Sequence, residues 1–134
     1  MAQSIFVNLP VMDLPRSVSF YEALGFVKNP QFSNEVAACM VLSDDIYFMI
    51  LTHPFFAGFT TKPIADSTVT TGAIFAISRN DRTAVDAMVA AAVANGGHDN
   101  NKVQDMEGFM YSRSFSDPDG HVFEPMWMDP EAAA

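Results

Sequence analysis

Glu124 is the side chain most out of keeping with its surroundings. It stands inside Val122-Phe123-Glu124-Pro125-Met126-Trp127-Met128, a run that otherwise has the make-up of a buried strand. A carboxylate there is costly to desolvate unless a cation, a proton or hydrogen-bond donors compensate it. So placed, it can hold a positive charge, ligate a metal or, with its pKa raised by an apolar setting, move a proton. The competing reading is a strand-end carboxylate facing solvent, and both stay open. Just upstream, Ser116-Asp117-Pro118-Asp119-Gly120 predicts a tight turn. Pro118 presets φ, Asp117 hydrogen-bonds back onto the backbone, and Gly120 tolerates a positive φ.

Other groups with chemistry to offer are few. Of three histidines, His121 follows the turn glycine and its parity sets it opposite Glu124, which makes it structural unless a bulge at Pro125 intervenes. His98 follows Gly96-Gly97 as an exposed residue at a helix end. His53, before Pro54, has the setting of a loop residue. Arg113 shares a strand parity with Tyr111 and Phe115, so this set either faces a pocket or packs on a helix. If Arg113 reaches Glu124, the carboxylate's charge is explained without metal or catalysis. The one cysteine, Cys39, lies in an apolar run and is a small core residue rather than a nucleophile.

The elements that must position these groups come in two rounds. Ile5 to Val11 is β-rich, Asp13-Leu14-Pro15 starts a helix, and Leu14, Val18, Tyr21 and Leu24 recur at helical spacing until Gly25. Short strands follow at Phe26 to Phe32, Glu35 to Leu42 and Ile46 to Leu51. The pattern begins again with a strand at Gly72 to Ser78, an N-cap at Asn80 or Asp81, and a helix through Val85, Met88, Val89, Ala92 and Val93. Strands at His98 to Val103, Phe109 to Phe115 and His121 to Met128 complete it. The order is βαβββ twice, with repeat 1 at about 4–53, a connection at about 54–71 and repeat 2 at about 72–129. An α+β domain follows, its two curved mixed sheets facing a cleft. Three phenylalanines in the connection, Phe55, Phe56 and Phe59, should pack as a lid or against a second subunit.

A chain of 134 residues, 49% of them apolar, is one globular domain by length. Seven Lys plus Arg against sixteen Asp plus Glu, a formal charge of −9, argue against nucleic acid as partner. No basic leader opens the chain and no apolar run approaches the roughly 20 residues of a membrane span. The expectation is a cytoplasmic protein with no membrane partner.

Three stretches, Val11-Met12-Asp13-Leu14-Pro15-Arg16-Ser17, Phe20-Tyr21-Glu22-Ala23-Leu24-Gly25-Phe26 and Asp117-Pro118-Asp119-Gly120 with Glu124 beyond it, resemble the vicinal oxygen chelate superfamily. That group includes glyoxalase I, extradiol dioxygenases and the bleomycin- and fosfomycin-resistance proteins. The resemblance runs from Ile5 to Met128. It implies the cleft-bearing fold, a homodimer, and in the metal enzymes one divalent ion held from the first and last strands of each repeat. Carried over, those positions fall on Phe6, Ile50, Ala73 and Glu124, of which only Glu124 can coordinate a metal. A displaced set of Asn8, His53 and Glu124 is the alternative for Zn, Ni, Mn or Fe.

Two functions follow. One is a metal-free binder without cofactor, its cleft lined by Phe6, Asn8, Phe48, Ile50, Phe75 and Glu124, with Arg113 loosely attached. Its ligand would be mostly apolar with one basic or hydrogen-bonding group. The other is a divergent glyoxalase-like lyase or isomerase, or a ring-cleaving dioxygenase, in which Glu124 ligates a metal or moves a proton.

Overall fold

The computed structural model describes residues 3–131. The chain forms two compact units that divide between Asp66 and Ser67, five residues ahead of the expected start of the second repeat.

In the first unit, β1 (Ile5–Val11) leads into α1 (Leu14–Ala23), followed by β2 (Val27–Asn29), a single 3₁₀ turn at Pro30–Phe32, β3 (Ala37–Ser43) and β4 (Ile46–Thr52). Asp13 caps the helix, its Oδ1 accepting from the Arg16 N–H at 3.1 Å. Pro30 has no N–H to give a ladder, and the second strand ends there rather than running to Phe32. The sheet order is β1-β4-β3-β2, with β1 and β4 parallel and the other pairs antiparallel.

Strand parity decides the core. Leu9, Val11, Met40, Phe48 and Ile50 all lie on the face that α1 covers, where they meet the fully buried Phe20 and Tyr21. Phe26 stands edge-on between Tyr21 at 5.2 Å and Phe48 at 5.6 Å. Such contacts add about 0.5–1.5 kcal/mol per pair to simple burial. The opposite, open face carries Phe6 and Asn8 beside Tyr47 and Met49. A short α2 (His53–Ala57) follows β4 and packs on β1 and β4. His53 therefore starts a helix and is not in a loop.

The second unit repeats the scheme with β5 (Ile74–Ser78), α3 (Arg82–Ala94), β6 (His98–Met106), β7 (Met110–Ser116) and β8 (Val122–Met128) in the order β5-β8-β7-β6. Asp81, not Asn80, caps α3 by accepting from the Ala84 N–H at 2.7 Å. Val85, Met88, Val89 and Ala92 bury the helix on Phe115 and Phe123, whose rings stack at 5.4 Å. Phe75 joins them, 5.3 Å from Phe123. Register runs unbroken through Pro125, which pairs with Ile77, so no bulge turns His121 and Glu124 to one side. The turn between β7 and β8 is drawn together by the buried Asp117, whose Oδ1 accepts from the N–H groups of Asp119 at 3.0 Å and His121 at 2.8 Å. Gly120 (φ +91) closes it, and a Cβ there would collide with the Ser67 carbonyl.

That collision separates Gly120 from the other positive-φ glycines. Gly108 (φ +68) has open space where its Cβ would be. Gly108→Ala should cost about 1 kcal/mol, from backbone strain alone, and Gly120→Ala about 2–4 kcal/mol because backbone must also move. Urea unfolding of the two variants beside the parent measures the difference.

Candidate functional site

Glu124 sits half-buried at the middle of β8, a strand flanked on both sides by others. Its side chain shares the face of the second sheet that α3 does not cover. Ala76 is its partner on β5, and on β7 the same face carries Ser112, Ser114 and Ser116. All three serines are buried, at 2%, 8% and 9% exposure. A β7 face floored with hydroxyls is what the alternation Ser112-Arg113-Ser114-Phe115-Ser116 encodes at period two. Sequence reasoning had followed the other parity of this strand and missed it.

An irregularity in β6 brings further polar groups to that floor. His98 pairs with Ser116 and Asp99 with Phe115, but Val103 pairs with Arg113, so β6 holds two residues more than β7 across this stretch. Asn101 takes the kink at φ 58, its N–H donating to Asp99 Oδ1 at 2.8 Å. Asparagine is among the few residues that adopt this conformation readily. The bulge sets Asn100 over the serines: its Nδ2 donates to Ser114 Oγ at 2.9 Å, and Ser116 Oγ donates to its Oδ1 at 3.1 Å. Two adjoining concavities result. One of about 640 Å³ is walled by Ser67, Thr68, His98, Asn100, Lys102 and Ser116 among others, and one of about 340 Å³ by Lys102, Gln104, Ser112, Ser114 and Glu124, with Val103 and Arg113.

Charges distribute unequally over the two faces. On the helix side Arg113 is held by Asp86 at 3.0 Å and Asp99 at 2.7 Å, Tyr111 donates to Asp86 at 2.6 Å, and Arg82 pairs with Asp105 at 2.7 Å over the Tyr111 ring. On the open face the Glu124 and Lys102 side chains make no hydrogen bond or ion pair among the described residues.

The expected site residues thus divide. Glu124 is on the open face of the second sheet; Phe6 and Asn8 are on the open face of the first, with Phe6 54% exposed and stacked on Tyr47 at 4.5 Å, and Asn8 donating to the Phe6 carbonyl. Phe48 (3% exposed) and Ile50 (0%) do not line a cleft; one residue of parity puts them in the core beneath α1. Phe75 likewise turns toward α3, against Phe123. Arg113 does not reach Glu124: its odd-numbered position points the guanidinium at α3, the helix-packing alternative for this set. His98 is exposed, as expected, but opens β6 and borders the larger concavity rather than standing at the helix end. Phe55 and Phe59 pack edge-to-face on one another at 5.3 Å and remain 39% and 70% exposed.

A divalent metal finds a poor donor set here. Among the described residues no three His, Cys, Asp or Glu side chains converge. Glu124's neighbours on its own face are hydroxyl, methyl and thioether groups, which do not suit Zn, Ni, Mn or Fe.

Residues 3–43 match the family model described as bleomycin resistance protein-like N-terminal. A search of curated proteins returns no match. Among solved structures, a hypothetical protein from S. aureus superposes with a TM-score of 0.78 at 26% identity, covering 95% of both chains. A glyoxalase/bleomycin resistance protein/dioxygenase family enzyme from Burkholderia phytofirmans gives 0.77 at 17% identity, over 96% of this chain and 100% of its own. The genomically encoded fosfomycin resistance protein of Listeria monocytogenes gives 0.70 at 15% identity, over 100% and 99%. These solved structures share the doubled βαβββ fold expected of the chain, and its residues 3–43 resemble the bleomycin-resistance N-terminal model.

The helix-side network carries a pH signature. The Tyr111 hydroxyl, and after it Arg113, hold the Asp86 carboxyl below its ordinary 3.8. A depressed folded pKa stabilises above the unfolded value, and the contribution is lost as pH falls through the folded one. Stability should therefore drop more steeply below about pH 4 in the parent than in Asp86→Asn, a difference read from urea midpoints between about pH 4 and pH 2.

Proposed function

We propose that this chain is a small-molecule binding protein of the bleomycin-resistance kind, holding a cationic ligand on the open face of its second sheet without a metal. One observation carries the reading: Glu124 is half-buried over a floor of serines and has no cationic partner among the described residues. A carboxylate left unpaired there is compensated once a ligand brings the positive charge, and a charge-assisted hydrogen bond from that ligand is about twice as strong as a neutral one. The surrounding hydroxyls donate and accept, so they suit a ligand rich in polar groups. The formal charge of −9 draws cations toward the protein and opposes a phosphonate. In this reading Glu124 binds and does not catalyse.

We further propose that the protein works in the cytoplasm as a homodimer. Ile5, Phe6, Phe59 and Ile74, each more than half exposed, supply apolar surface for a second copy. Light scattering behind a sizing column should find two chains per particle, and a single chain would remove the dimer from the proposal.

Calorimetric titration with metal-free bleomycin tests the ligand class. A saturable isotherm is expected, weakened about tenfold, or ~1.4 kcal/mol, by Glu124→Gln. Silence toward bleomycin together with manganese-dependent binding of fosfomycin would replace this reading with a metal-assisted one.

A further inference from the structure

The Glu124 carboxylate, unpaired among the described residues, has a counterpart on the open face that is likewise unpaired among them. Lys102 closes the β6 bulge, just before Val103, which pairs with Arg113; Ser114 lies between Ser112 and Phe115, whose partners on β8 are Met126 and Phe123, so it stands beside Glu124. Ser114 and Glu124 form one row across β7 and β8, and Lys102 on β6 faces the same concavity. With strands about 4.8 Å apart, β6 and β8 are separated by about 10 Å. Both side chains wall the concavity of about 340 Å³, with Ser112 and Ser114 on its floor. Their charges nevertheless stay apart: no ion pair joins them within 4.0 Å, and neither has another partner among the described residues.

The Lys102 side of this concavity is shaped by the bulge in β6. The two extra residues of the bulge lead up to Lys102, which walls the same concavity as Ser114 and Glu124. Other details hold the bulge in place: the left-handed Asn101, its N–H on Asp99, and Asn100 bridging two serines.

We propose that the ligand of this face is a zwitterion, its ammonium received by Glu124, its carboxylate by Lys102, and the atoms between them hydrogen-bonded by Ser112 and Ser114. This rests on the cation reading above and adds to it the anionic half of the ligand. A lysine ammonium presents three donors to a carboxylate from a flexible stem, and Glu124 offers the reverse to an ammonium. An α-amino acid spans too little of this distance to meet both ends, whereas a dipeptide, with its charged termini separated by an amide, covers more of it. The amide would meet the serine floor. The chemical class is therefore a short peptide or an ω-amino acid.

Three related probes test this by chemical-shift titration of the ¹⁵N-labelled protein: glycylglycine with both charges, the isosteric glycylglycinamide with only the cation, and the acetyl-capped N-acetylglycylglycine with only the anion. Glycylglycine is expected to bind at least about fivefold tighter than either, with shifts centred on Lys102, Ser114 and Glu124. Lys102→Met, at an exposed position, should bring glycylglycine down to the affinity of glycylglycinamide while leaving the latter unchanged. Glu124→Gln should equalise glycylglycine with the N-acetylated probe. Equal binding of glycylglycine and glycylglycinamide in the parent, insensitive to Lys102→Met, would overturn the zwitterion and leave the cation reading standing. Shifts for the N-acetylated probe alone would overturn both.

Discussion

A side chain on β8 has only two directions to point. The strand lies between β5 and β7 with its backbone committed on both sides, and the pleat sends alternate residues to opposite faces. Phe123 and Pro125 go under α3 and are fully buried, so Val122, Glu124 and Met126 must go to the open face. Moving Glu124 out of that position would mean slipping the register by one, which would expose Phe123 and lose its stack on Phe115. The carboxylate is held in place by the hydrophobic residues on either side of it.

Register in turn depends on the connection before the strand. Asp117 draws two N–H groups onto one oxygen, Gly120 takes a positive φ, and the Ser67 carbonyl fills the space where a side chain would be. A turn so closely specified leaves β7 and β8 one alignment, and that alignment sets Ser114 beside Glu124. On the far side of β7 the bulge in β6 sets Asn100 over the serines and leads up to Lys102. Two local backbone devices, a tight turn and a bulge, thus assemble one polar surface.

The two faces of the second sheet treat charge in opposite ways. Toward α3, Arg82, Arg113, Asp86, Asp99, Asp105 and Tyr111 satisfy one another, and Asp86 responds with a lowered pKa. These contacts join helix to sheet, and being largely exposed they contribute modestly to stability. On the open face the Asn100 and serine side chains are hydrogen-bonded to one another, but the Glu124 and Lys102 side chains have no partners among the described residues.

The doubled βαβββ order, the Asp13 cap, the Asp117 turn and the helical stripes were legible in the chain because each depends on neighbours within a few residues. Hydrophobic period and turn chemistry are local properties, and they sufficed for the fold. Glu124 was legible too, as a charge in an apolar run. Which face each strand residue would occupy was not: Phe48 and Ile50 read as cleft residues beside Phe6 and Asn8, yet one residue of parity buries them. The serine ladder was present in the alternation of Ser112, Ser114 and Ser116, but only the position of α3 decides which parity is covered. The bulge ahead of Lys102 left a weaker mark, an Asn-Asn pair in a polar strand. It depends on β6 and β7 pairing at a distance, which no stretch of sequence contains by itself. Local chemistry determined the elements, and tertiary pairing decided which of their side chains meet.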